Sequence, residues 1–112
     1  MALWITFVNP FIEEFFWRGF VFRALNQFSA NKTHSWYIII IAGALFALHH
    51  AIIMWDWFTA PLLILVLTFL GLAGMLFNWT YYKTGTIVPA IIIHLAADAT
   101  ISIIGLQIFG II

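Results

Sequence analysis

Apolar residues in this chain come in long unbroken runs, and such runs leave a backbone few ways to fold. The stretch from Pro61 to Tyr82 holds no Asp, Glu, Lys or Arg. Crossing about 30 Å of hydrocarbon takes roughly 20 helical residues. In lipid every backbone polar group must be satisfied internally, which only helices and closed barrels achieve. Barrel strands alternate apolar and polar side chains, and these runs do not alternate. They predict an all-α membrane protein.

Composition agrees. Of 112 residues, 65% are hydrophobic and 7% charged, against about 45–50% and about 25% in soluble domains. So short a chain cannot enclose that much apolar surface in one water-facing core. Net charge is zero and cysteine is absent. There is thus no basic stripe for nucleic acid, no polybasic lipid-binding tract, and no disulfide, thiolate metal site or cysteine nucleophile. Met1 to Asn9 lacks a basic leading region and a small-residue cleavage site, so a removable signal peptide is not expected. That stretch reads as the tail of an earlier apolar helix or as a short lead-in.

Punctuation divides the chain into about four transmembrane helices in a single domain, 1–112, at about residues 10–27, 35–54, 61–82 and 88–108. Asn9-Pro10 suits a helix start, and a polar stretch from Ser29 to Ser35 follows the first helix. Trp36 and Tyr37 stand about 19 residues from Trp55 and Trp57, or roughly 29 Å along a helix, which matches two membrane interfaces. Lys83-Thr84-Gly85-Thr86 forms a tight loop before Pro89. Lys32, Lys83 and the Arg23 end of the first helix share one side, cytoplasmic by the positive-inside rule.

A charge at mid-helix costs on the order of 2.5–3.5 kcal/mol on insertion scales, so intramembrane ionisable residues ask for a function. This chain carries Glu13, Glu14, Arg18, His49, His50, His94 and Asp98 in its apolar stretches. The plainer alternative is that some lie at the interface, or pair merely to hold helices together. Glu14 and Arg18 have the favoured i, i+4 order of a helical ion pair, which reads as a structural clamp. Glu13 lies about 100° round the helix and stays uncommitted, the better candidate for chemistry. Phe46 and His50 share a face beside the small residues Gly43, Ala47 and Ala51, a stripe that lets another helix approach. This favours His50 over His49 as the inward histidine. His94 and Asp98 are one turn apart, flanked by Ala90, Ala97, Ser102 and Gly105. They either satisfy each other or project into a shared cavity. His34 reads as solvated. Asn31-Lys32-Thr33 and Asn78-Trp79-Thr80 match the glycosylation pattern, a match that arises easily by chance.

In chain order these residues make three groups: Glu13-Glu14-Phe15-Phe16-Trp17-Arg18, Phe46-Ala47-Leu48-His49-His50 and His94-Leu95-Ala96-Ala97-Asp98. They resemble the signatures EExxxR, FxxxH and HxxxN/D of the CPBP family, which comprises the CAAX prenyl proteases of the Rce1 type and the bacterial Abi, or bacteriocin-processing and immunity, proteins. Thr84-Gly85-Thr86-Ile87-Val88-Pro89-Ala90 is similar to the family's lead-in to the third signature. The resemblance spans Asn9 to about Asp98.

It implies an intramembrane endopeptidase acting on a membrane-associated peptide or protein, in lipid, in a bacterial cell membrane. Glu13 would be the general base. His50 would hold or orient the water. His94 and Asp98 would meet the developing oxyanion or complete the polar pocket, with Glu14, Arg18 and Phe46 in support. Asp98 resembles the bacterial variant of the last signature, where eukaryotic prenyl proteases carry asparagine. The family is often labelled metallopeptidase, and Glu13, His50 and His94 are plausible ligands for zinc. HExxH is absent, however, and the same groups could act without metal. Members usually have more helices than four, so the chain resembles the conserved core: a fragment, a minimal member or a homo-oligomer.

Two other functions compete. One is a non-catalytic scaffold or immunity protein of the same family. The other is a proton pathway, although no broken helices recur in two halves. Depth poses a condition on any shared site. Glu13 and His50 lie about 6 Å from one end of their helices, while His94 lies about 9 Å in from the opposite side. They meet only if the fourth helix is offset or the first begins before Pro10.

Overall fold

The computed structural model describes residues 3–28 and 35–112, and the described residues are helical or turn with no strand. His34, Lys32 and the Asn31-Lys32-Thr33 match lie outside them. Helix α1, residues 4–28, is a chain of four segments: Trp4–Val8, Asn9–Phe16, Trp17–Phe22 and Arg23–Phe28. Then come α2 (Ser35–Met54), α3 (Ala60–Thr84) and α4 (Val88–Ile108). Trp36–Met54, Ala60–Thr84 and Val88–Ile108 have the length and hydropathy of membrane spans. Together with α1 they make an all-α membrane bundle.

Pro61 and Pro89 sit in the first turns of α3 and α4, where a missing N–H costs nothing. Gly85 ends α3 with φ 72°, its N–H closing on the Tyr81 carbonyl, a left-handed cap that glycine adopts without strain.

Helix α1 departs from expectation. Asn9-Pro10 does not open it but lies within it. A proline inside a helix removes one N–H and crowds the carbonyl four residues back. Here the preceding segment, Trp4–Val8, is a π-helix, and the N–H of Asn9 reaches five residues back to the Trp4 carbonyl. The widened turn carries the bonding into the proline, which is itself buried. Glu13 therefore lies about 14 Å along the helix from Trp4 rather than about 6 Å from its start. The earlier start is one of the two conditions under which Glu13 and His94 could meet. A second π segment, Trp17–Phe22, follows the glutamates.

Helices α2 and α3 form the tightest pair. A Cβ built on Gly43 would stand 3.0 Å from the Met75 nitrogen and 3.1 Å from the Gly71 carbonyl oxygen. One on Gly74 would stand 3.3 Å from the Gly43 Cα. The stripe of Gly43 and Ala47 is thus the face α2 gives to α3, as the small residues predict. Asn78 Nδ2 donates to the Ile39 carbonyl at 3.1 Å and is buried. Its glycosylation match is therefore a packing residue between two helices.

Helix α1 touches all three of the others, whereas among the described residues the backbones of α2 and α4 stay apart. Those two meet only through side chains such as Phe46 and His94, ring centroids 6.4 Å apart. Thr6 Oγ1 and Ser102 Oγ, 2.8 Å apart, join α1 to α4. The result is flat, 52 × 30 × 16 Å. Its apolar core is small, with Trp17, Phe22, Phe46 and Phe77 the largest members, and most other large apolar side chains face outward, as a lipid solvent permits.

Candidate active site

The site forms where α1 crosses the other three helices. At its base lies Arg18, fully buried. Its Nη1 donates to Glu14 Oε1 at 3.3 Å and its Nη2 to the Gly74 carbonyl at 3.0 Å. The rings of Phe46 and Phe77 lie 4.8 and 4.9 Å from the guanidinium carbon. A planar cation against two rings, with Nη1 and Nη2 on oxygens, suits an arginine removed from water, although Nε is buried without a partner.

Glu14 is equally buried, and its Oε1 serves a second partner, His94 Nδ1, at 2.8 Å. The expected clamp is thus larger than an ion pair: it ties α1 to α3 through Arg18 and to α4 through His94. The contact also fixes the imidazole. Nδ1–H donates to the carboxylate, leaving Nε2 facing the other way. That nitrogen lies 3.6 Å from Glu13 Oε2 and 3.6 Å from Asp98 Oδ2. The His94 ring stacks on Phe77, with centroids 5.5 Å apart.

Glu13 differs from its neighbour. Its side chain is 15% exposed where that of Glu14 is 0%. Oε1 accepts from Asn9 Nδ2 at 2.6 Å. Oε2, like Glu14 Oε2, is buried without a hydrogen-bond partner, but it alone lies between two imidazoles, 3.9 Å from His50 Nε2 and 3.6 Å from His94 Nε2. His50 Nδ1 is 2.9 Å from the Phe46 carbonyl oxygen, to which only a protonated nitrogen can bond. A neutral His50 therefore turns a bare Nε2 lone pair toward Glu13. His49 points elsewhere, its ring 5.6 Å from that of Trp17.

All four residues expected to do chemistry, Glu13, His50, His94 and Asp98, thus come together in one cluster, with Glu14, Arg18 and Phe46 packed beside it. Three participants were not anticipated: Asn9, assigned to a helix start; the Gly74 carbonyl; and Phe77. Of these, only Asn9 left a signal, its i, i+4 spacing to Glu13. Glu13, His50 and His94, plausible zinc ligands by residue type, do lie together, but among the described residues no group of three or more His, Asp or Glu side chains is placed to hold a metal ion.

Fold and site define a class first: an integral membrane helical bundle with a carboxylate–histidine centre buried among its helices. Residues 1–100 match the family described as Rce1-like, type II CAAX prenyl endopeptidase Rce1-like. The chain belongs to this family, which is a family of proteases. No curated protein and no solved structure matches the chain.

Proposed function

We propose that this protein hydrolyses a peptide bond of a membrane-associated substrate, with Glu13 as the base that takes a proton from water. The carrying observation is Glu13 Oε2: buried, unpartnered, and flanked by the Nε2 atoms of two histidines from two other helices. Glu13 Oε2 and His50 Nε2 are both acceptors, 3.9 Å apart. One water about 2.8 Å from each would give a proton to both.

As the water oxygen attacks the substrate carbonyl carbon, its proton passes to Glu13. Negative charge gathers on the former carbonyl oxygen. His94, steadied by Glu14, supplies an Nε2–H donor when it carries both ring protons. Positioned donors of this kind stabilise developing charge. Asp98 completes the pocket by facing that nitrogen; ionised it only accepts, and protonated it also donates. Glu13 then returns the proton to the departing amine as the C–N bond breaks.

Family membership supports a CAAX-type substrate, and the aspartate at position 98 keeps bacteriocin- or immunity-related processing in a bacterial membrane as the second class. Glu13→Gln, purified and offered membrane-anchored reporters of both kinds, should lower kcat by about 10²- to 10⁴-fold, the usual range for a general base. A parental rate in that variant would leave the non-catalytic scaffold as the better account. Chelation should leave the rate unchanged. Loss on chelation with recovery on adding zinc would instead give Glu13, His50 and His94 the role of ligands.

A further inference from the structure

The two adjacent glutamates each have a partner one helical turn away, in opposite directions. Glu14 pairs forward with Arg18, a cation, at 3.3 Å. Glu13 pairs backward with Asn9, a neutral amide, at 2.6 Å. The partners fit the different fates of the two carboxylates. A guanidinium beside Glu14 compensates the carboxylate's charge. The same cation on Glu13 would hold its electron pairs and weaken it as a base. An amide donor fixes a carboxylate in space without cancelling its charge.

Asn9 is also held from behind. Its backbone N–H closes the π turn on the Trp4 carbonyl, and Pro10 follows with a φ its ring restricts. The side chain therefore leaves a fixed stretch of backbone. Its bond occupies Glu13 Oε1 and leaves Oε2 as the oxygen between His50 and His94.

We infer that Asn9 is a positioning residue for Glu13: its side-chain amide fixes one carboxylate oxygen and thereby presents the other to the reacting water. The inference rests on the proposed catalytic role of Glu13. It assigns Asn9 no contact with substrate. It does require a donor at that place, which separates it from a role in helix geometry or packing. Aspartate has asparagine's shape and suits a helix turn equally well, but ionised it cannot donate. Ionised beside Glu13, it repels the carboxylate instead of holding it.

The test compares Asn9→Asp, Asn9→Ala, Asn9→Gln and Glu13→Gln in the full chain, purified in detergent and assayed on a cleaved membrane-anchored reporter, with thermal stability measured alongside. Asn9→Asp should lower kcat by about 10- to 100-fold, the rate equivalent of losing a hydrogen bond to a charged group, with KM and melting temperature near the parent's. Asn9→Ala should fall in the same range, and Asn9→Gln, which restores a donor, should recover most of the rate. Parental kcat in Asn9→Asp overturns the inference. If Asn9→Asp does not fold, the other pair decides: equal rates in Asn9→Ala and Asn9→Gln, whether high or low, overturn it. An active Glu13→Gln would instead overturn the catalytic reading itself. An inactive Glu13→Gln beside fully active Asn9 variants removes only the role of Asn9.

Discussion

Helices α2 and α3 are joined backbone to backbone, while α1 is joined to α3 and α4 through polar side chains. On the first seam Gly43, Gly71 and Gly74 bring main chains together. On the second, Arg18 reaches the Gly74 carbonyl, His94 reaches Glu14, and Thr6 meets Ser102. Lipid tails are as apolar as leucine, so helices in a membrane associate by close packing and by hydrogen bonds rather than by a hydrophobic drive. The molecule uses each mechanism in a different place. Close packing makes a frame, and directional bonds fix the atoms that matter for chemistry. Gly74 belongs to both: it lets Phe46 and Gly43 come near, and its carbonyl receives Arg18.

The polar seam should be the more fragile when half of it is removed. Arg18→Met leaves Glu14 buried and uncompensated, a loss of about 3–5 kcal/mol. Unfolding in mixed micelles should show it, with Glu14→Gln added to Arg18→Met recovering part of the loss. Should the double substitution be as unstable as the sum of the singles, the two residues do not act as a pair. Gly43→Ala comes next. Met75 Cγ can move aside, but the Gly71 carbonyl and the Met75 nitrogen are backbone, so an overpacking cost of about 1–3 kcal/mol is expected. Turnover by the folded fraction should stay near parental, and a large fall in kcat there would mean that the frame, too, sets the geometry of the site. Thr6→Val should be the mildest, about 0.6 kcal/mol for one interhelical hydrogen bond in a membrane protein, read from the same unfolding curves. A loss as large as that of Arg18→Met would show that the seam depends on its far end.

Much of the frame and of the polar cluster could be read from residues alone. Length and unbroken apolarity were enough for α2, α3 and α4, and i, i+4 spacing was enough for the bond between Glu14 and Arg18. The stripe of Gly43 and Ala47 pointed to the side of α2 that carries His50. What escaped had physical reasons. The start of α1 was misjudged because proline after asparagine suits a helix start, and nothing in Trp4–Val8 advertises i→i+5 bonding. That misjudgement also hid Asn9, since a residue read as the cap is not examined as a partner for Glu13. The Gly74 carbonyl was illegible in a different sense: a backbone oxygen belongs to every residue, and only tertiary approach selects one. Asn78 carried a misleading pattern, because three residues resembling a surface acceptor say nothing about burial.

The least dimension, 16 Å, is not much more than the roughly 10–12 Å width of one helix with its side chains. A plate so thin has a small interior, and two of its most deeply buried side chains, Glu14 and Arg18, are charged types. On the proposed mechanism, water has to reach Glu13, whose side chain is only 15% exposed. Turnover would then depend on how quickly each spent water is replaced.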